Sequence, residues 1–245
     1  MFKKIALSTL LPVIAIVFMF GYPKPAFAID VYFPHPLIPY PPIPDSSVAS
    51  EWASAHITRA HSLGLIPHSL FADSPTFTNY TIPATREEFA ALAVALYDTI
   101  VFGGPTVRLE IEGVGIPGAM EFNDTDDINV RVMGYLGVVS GVGDGYFNPY
   151  GEITREQAAV MLVRLFNVIH THVGTDWPVM LDLPHLPSVF TDYEQISPWA
   201  FNGVASAFGL KLMSGVGDRQ FAPQSTFTRE QSIVAVLQLF DMVQT

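Results

Sequence analysis

Apolar residues recur at helical spacing in three stretches, and each stretch is opened by the same four-residue signal. Phe89, Leu92, Ala93 and Leu96 follow Thr85-Arg86-Glu87-Glu88; Ala158, Met161, Leu162, Leu165, Phe166 and Ile169 follow Thr154-Arg155-Glu156-Gln157; Ile233, Val236, Leu237 and Phe240 follow Thr228-Arg229-Glu230-Gln231. Steps of three and four place each set on one side of an α-helix. The opening Thr-x-x-Glu/Gln is a capping box: the Thr hydroxyl accepts the N–H three residues on, and the Glu or Gln side chain reaches back to the Thr N–H. The pattern therefore predicts three helices beginning at Arg86, Arg155 and Arg229. No short amphipathic helix buries its apolar stripe alone, so the three are expected to converge on one core.

A shorter helix is predicted ahead of each: Trp52 to Leu63, Asp127 to Leu136 and Pro198 to Phe208, followed by Gly64, Gly137 and Gly209. Glycine there suits a left-handed C-cap. Pro198 fits a first helical turn with Ser197 as its cap. Phe190-Thr191-Asp192 precedes Trp199-Ala200 by the same interval that separates Ile43-Pro44-Asp45 from Trp52-Ala53, whereas Phe122-Asn123-Asp124 leads to Arg131. Asp45, Asp124 and Asp192 read as helix-start caps. Between the helices, Gly141-Val142-Gly143-Asp144-Gly145-Tyr146-Phe147-Asn148-Pro149 matches Gly215-Val216-Gly217-Asp218-Arg219-Gln220-Phe221-Ala222-Pro223, while Asp73-Ser74-Pro75-Thr76-Phe77 is a degenerate counterpart.

This ordered set resembles the S-layer homology (SLH) domain family of bacterial cell-surface proteins, closely in the second and third copies and loosely in the first, over residues 43–245. The resemblance implies an all-α fold of three helix-loop-helix repeats packed with pseudo-threefold symmetry around a shared helical core, as a three-pronged prism. The resulting division is a signal peptide at 1–28, a Pro-rich linker at 29–44, repeats at 45–100, 122–170 and 190–245, and insertions at 101–121 and 171–189. Alternation over Val107–Gly113 predicts a strand or hairpin in the first insertion. The second reads as a Pro- and Gly-punctuated loop.

The leader rests on Lys3 and Lys4, an uncharged apolar run from Ile5 to Phe20, and Ala26-Phe27-Ala28 as a cleavage site. Six prolines between Pro34 and Pro44 give a semi-rigid spacer. The formal charge is -11, and loss of the three leader lysines takes it to -14. That balance argues against nucleic acid as a partner, because phosphate binding needs a basic surface. It also means that an anionic ligand must be captured by local cations. With no cysteine there is neither a disulfide framework nor thiol chemistry.

Those local cations are Arg86, Arg155 and Arg229, each at the first position of a helix, where the macrodipole disfavours positive charge. Two readings stay open from the residues: a guanidinium beside free helix N–H groups makes an anion-binding corner, or each Arg pairs with a neighbouring acid and ties loop to helix. The resemblance implies the first, with the arginines contacting an anionic secondary cell-wall polysaccharide in grooves between repeats. Asp144 and Asp218 read as turn residues, and Gly143 and Gly217 beside them would let a sugar approach the backbone. Trp52 and Trp199 pack in the core on the helical pattern, or line grooves on the family pattern. Arg131 in place of a Trp weakens the second repeat's groove, and the degenerate loop weakens the first's.

No metal site is expected: His170-x-His172 has the wrong spacing for a helical ligand pair, and Asn123-Asp124-Thr125-Asp126-Asp127 lacks the Gly and terminal Glu of a calcium loop. No nucleophile elbow or acid–base carboxylate pair stands out. The sequence thus points to a noncatalytic, exported, cell-surface module without cofactor, retained on the envelope by an anionic wall glycan, with self-association or a surface-layer partner left open. The competing expectation is a structural or protein-interaction scaffold whose degenerate repeats bind no glycan.

Overall fold

A computed structural model describes residues 47–71, 78–103, 121–174 and 183–244. The leader and linker, the Asp73–Phe77 loop and the Val107–Gly113 strand lie outside the described residues. The rest is all-α: α1 Glu51–Ser62, α2 Arg86–Phe102, α3 Ile128–Tyr135, α4 Arg155–Val173, α5 Leu186–Val189, α6 Phe201–Gly209 and α7 Arg229–Gln244, with 3-10 turns at His68–Phe71 and Tyr193–Gln195. Extended pairing among the described residues is confined to isolated bridges.

The three long helices begin where the capping boxes place them. Thr85 Oγ1 accepts from Glu88 N at 3.1 Å, Thr154 Oγ1 from Gln157 N at 3.3 Å and Thr228 Oγ1 from Gln231 N at 3.2 Å. In return Glu88, Gln157 and Gln231 accept from the N–H of their own Thr at 3.0, 3.3 and 3.1 Å. Helices α2, α4 and α7 pack against one another. Their stripes form the core, with Phe89, Leu92, Leu96, Leu162, Leu165 and Val236 fully buried. Each such side chain contributes about 1.5–3 kcal/mol.

The short helices pack in an order that the repeat division does not suggest. Helix α3 lies on α2, α6 on α4, and α1 on α7. A short helix thus covers the long helix that precedes it in the chain, and the first short helix returns to the last long one. A ring of backbone hydrogen bonds joins the segments leading into the long helices: Phe227 N donates to Ile153 O, Ile153 N to Ala84 O and Ala84 N to Phe227 O, each at 2.9 Å.

Several boundaries differ from expectation. Helix α4 runs on to Val173, and α5 forms at Leu186–Val189, so part of the supposed 171–189 loop is helical. Residues 101 and 102 close α2 rather than open an insertion, and Gly103 is its left-handed cap at φ 77°. Helix α6 starts at Phe201, because Ser197–Ala200 is a turn closed by Ala200 N to Ser197 O at 2.9 Å. Gly64 and Gly137 take left-handed caps at φ 73°, but after α6 the residue in that conformation is Lys211 at φ 59°, Gly209 being the last helical residue.

A side chain with a Cβ is disfavoured in the left-handed region by roughly 1–2 kcal/mol, while glycine there loses more backbone entropy on folding. Lys211→Gly is therefore expected to stabilise the protein by a net of about 0.5–1 kcal/mol. Urea unfolding followed by circular dichroism checks this.

Candidate functional site

The two matching loops owe their shape to glycine and aspartate. A two-residue hairpin is closed by Tyr146 N to Gly143 O at 2.9 Å, and Gln220 N to Gly217 O at 2.8 Å closes the other. Gly143 and Gly217 sit at φ 126° and 121°, and the turn residues Asp144 (φ 51°), Gly145 (φ 80°), Asp218 (φ 46°) and Arg219 (φ 56°) all have positive φ. Asp tolerates this in a type I′ turn. Arg219 does so held by its side chain, whose Nη2 donates to Ser188 O at 2.7 Å and Nε to Val189 O at 3.3 Å.

The side chains of Asp124 and Asp192 do not cap helices, although Asp192 stands at the start of the Tyr193–Gln195 turn. Asp124 accepts from Phe147 N at 2.8 Å and Asn148 N at 2.7 Å, and Asp192 from Phe221 N at 2.9 Å and Ala222 N at 2.7 Å. Each carboxylate fastens the far end of its loop. The cap of α3 is Asp127, which accepts from Asn129 N at 2.8 Å and Val130 N at 3.0 Å. Asp45 lies outside the described residues.

The three arginines are 5% exposed, and each reaches into the next loop along the ring. Arg86 Nε donates to Phe147 O at 2.7 Å and Nη2 to Ser140 O at 2.8 Å, with the guanidinium 4.5 Å over the Phe147 ring. Arg155 repeats this on Phe221 O at 2.8 Å and Ser214 O at 2.7 Å, 5.0 Å over the Phe221 ring. Arg229 differs: its Nε donates to Glu88 Oε2 at 3.2 Å and its Nη2 to Glu88 Oε1, a bidentate ion pair, while Nη1 lies 3.4 Å from Asn79 O. The third edge of each fork also differs. Arg86 Nη1 is 3.3 Å from Gln157 Oε1, and Arg155 Nη1 has no hydrogen bond among the described residues. Burial pulls Arg155 down to about 10, against the raising effect of Asp192, so it remains a cation at neutral pH.

The helix N–H groups are not free for a ligand. Arg86 N and Glu87 N donate to Gly151 O and Pro149 O, Arg155 N and Glu156 N to Ser225 O and Pro223 O, and Arg229 N and Glu230 N to Ile82 O and Tyr80 O, all within 2.8–3.0 Å. In the second and third copies the Glu that follows the Arg is also a clamp, a role the sequence reading missed. Glu156 accepts from Ser197 N at 2.9 Å and Ser197 Oγ at 2.7 Å; Glu230 accepts from Ser50 N at 2.9 Å and Ser50 Oγ at 2.8 Å. The sequence signal for it was the recurrence of Glu directly after Arg in all three copies.

One groove of about 400 Å³ brings predicted residues together. Its polar side carries Arg86, Gln157, Arg164 and Ser140, and its apolar side Trp199, Val160 and Met161, with Gly141 and Val142 completing it. No acid lines it. Trp199 is 58% exposed and Trp52 52%, so neither is core, because each sits in or next to the turn ahead of its helix's buried face. Gly143 and Asp144 do not line this groove. In the repeat correspondence the counterparts of Arg86, Ser140 and Trp199 are Arg155, Ser214 and Trp52; Gly217 and Asp218 are exposed on the hairpin. A separate hollow of about 440 Å³ is lined by Glu87, Asp124, Asp126 and Asp127, but Asp124 and Asp127 are committed to backbone N–H groups. No cluster of three metal-ligating side chains occurs among the described residues, and His172 Nδ1 lies 2.8 Å from Val168 O.

Comparison with known proteins bears on these segments directly. The family model of the S-layer homology domain matches residues 133–159 and 189–231, which include two of the three Thr-Arg-Glu motifs and the Gly215–Pro223 loop. Those two segments carry S-layer homology sequence. An endoglucanase of Bacillus sp. (strain KSM-635) is 38% identical over 96 residues, 39% of this chain and 9% of that protein. The match therefore spans under a tenth of the relative's length. S-layer homology sequence marks a cell-surface anchoring module, and no helix among the described residues is long and apolar enough to cross a membrane.

Because each Arg holds loop carbonyls, truncation should unfold rather than merely blunt the site. Arg155→Ala is expected to cost about 3 kcal/mol, two charge-assisted bonds to buried carbonyls being lost. Arg229→Ala should cost about 3–5 kcal/mol by leaving Glu88 unpaired, and Glu88→Gln in that background should recover part of it. A double-mutant cycle in urea measures both.

Proposed function

We propose that this chain is a noncatalytic retention module that holds itself on the bacterial envelope by binding an anionic wall polysaccharide, with the Arg86–Trp199 groove as its principal site. The observation that carries this reading is a groove with two guanidinium groups, no carboxylate and a largely exposed Trp, on a chain of net charge -11. In such a chain, long-range electrostatics repel an anion, so a concave cationic patch is a local exception that needs a counter-charge. A sugar stacks on an exposed indole face while its acid group meets a guanidinium fork. The carbonyl-bound edges of Arg86 and Arg155 hold each fork rigid, which lowers the entropy lost on binding.

The ring has three such places and they are unequal. Arg155, Ser214 and Trp52 make the second. At the third, Glu88 neutralises Arg229, so an anion gains least from that Arg, and Arg131 in the Trp position offers a sugar no indole face. A scaffold reading is favoured by one observation, the consumption of Arg Nε and Nη2 in holding loops.

Sacculi from the producing organism separate the two readings. The mature protein should sediment with sacculi that carry their polymer and stay in solution with hydrofluoric acid-stripped sacculi; equal recovery favours the scaffold. Trp199→Ala removes an exposed side chain and should leave stability within about 0.5 kcal/mol, yet lower recovery severalfold. Loss of recovery with intact circular dichroism is the expected pair of results.

A further inference from the structure

One cation in the Arg86–Trp199 groove does not belong to the repeated motif. Arg164 lies on α4 ten residues after Thr154, where α7 has Gln238 after Thr228 and α2 has Ala95 after Thr85. Its Nη1 donates to Ser140 Oγ at 2.7 Å, while the carbonyl of the same serine accepts from Arg86 Nη2 at 2.8 Å. One residue thus spaces two guanidinium groups that line one groove. Arg164 is half-buried, and among the described residues it makes no ion pair. Elsewhere in the described chain an exposed Arg of comparable reach, Arg59, is neutralised by Asp241 at 2.5 Å. Two facing like charges repel one another and are relieved by a ligand that brings two opposite charges.

We propose that Arg164 is a ligand-binding cation that makes this groove selective for a polysaccharide segment bearing two anionic groups, one held by Arg86 and the other by Arg164. The corresponding place beside α7, with Gln238, then takes a singly charged segment. The proposal rests on the wall-polysaccharide reading above and adds the charge of the segment and the residue that selects it.

The test measures sedimentation with polymer-bearing sacculi across a salt series, with stripped sacculi as the blank. Arg164→Gln should weaken binding about tenfold and flatten its salt dependence, because one charge contact is lost and screening acts on those that remain. Arg164→Lys should keep the salt dependence. Ser140→Ala removes the Arg164 hydrogen bond but not the charge, and should keep the salt dependence of the unmodified protein while losing less affinity than Arg164→Gln. Gln238→Arg should steepen the salt dependence. If Arg164→Gln binds with unchanged affinity and salt dependence, the proposal is overturned while the wall-polysaccharide reading stands. If Ser140→Ala loses as much as Arg164→Gln, Arg164 acts only by placing the loop and the proposal is again overturned. If the unmodified protein does not distinguish intact from stripped sacculi, the wall-polysaccharide reading fails first.

Discussion

A helix cannot satisfy its own first N–H groups, and where α2, α4 and α7 find acceptors for theirs determines the rest of this structure. The third N–H of each goes to its own Thr hydroxyl. The first and second go outside the helix, to carbonyls of the loop that follows in the ring, at Gly151 and Pro149, Ser225 and Pro223, Ile82 and Tyr80. No long helix is therefore complete without its neighbour's loop. The Ala84–Phe227–Ile153 ring of hydrogen bonds lies two residues upstream of those starts, so the same backbone path that satisfies the helix ends also closes the ring. Burial makes this a strong constraint, since an orphaned N–H in the core costs about 1–3 kcal/mol.

The Thr-Arg-Glu motif reads differently once its bonds are assigned. Thr serves its own helix, whereas Arg and Glu serve the neighbours: Arg155 holds the loop around Phe221, and Glu156 holds Ser197 at the turn before α6. An Arg at the first helical position opposes the dipole by a few tenths of a kcal/mol, and two carbonyl bonds with an aromatic face outweigh that. The anion-binding corner imagined from sequence relied on free N–H groups that are in fact taken. In Arg86 and Arg155 the Nη1 edge takes no part in holding loop carbonyls, so on the proposed reading folding and binding use different edges of one planar group.

Short-range features were legible in the sequence and long-range ones were not. Capping chemistry located the starts of α2, α4 and α7 to the residue, because a capping box is set within four positions of the chain. The partner of each short helix was not legible, since helical spacing identifies which side is buried but not against what. Asp124 and Asp192 were misread for the same reason: an Asp shortly before a helix is a cap by local statistics, yet the loop N–H groups that claim these two arrive 23 and 29 residues later. Trp199 was ambiguous because a Trp in the turn ahead of a helix is not yet committed to that helix's buried side. Arg164 escaped notice because it matches no motif, and only the shared Ser140 places it beside Arg86.

The copies diverge at single residues whose effects can be followed. Gln157 and Gln231 complete their capping boxes with a neutral amide, which leaves Arg86 with a weak 3.3 Å contact and a full positive charge. Glu88 completes the same box with a carboxylate, so one oxygen takes the Thr85 N–H while both engage Arg229. The helix start is served equally well by either residue, since a capping box accepts Glu or Gln. The charge of the adjacent Arg is not: the carboxylate supplies from within the protein the anion that the other two places leave unsupplied. A one-atom difference in a capping residue, neutral for the helix start itself, thereby decides whether the adjacent Arg meets a bonded carboxylate inside the protein.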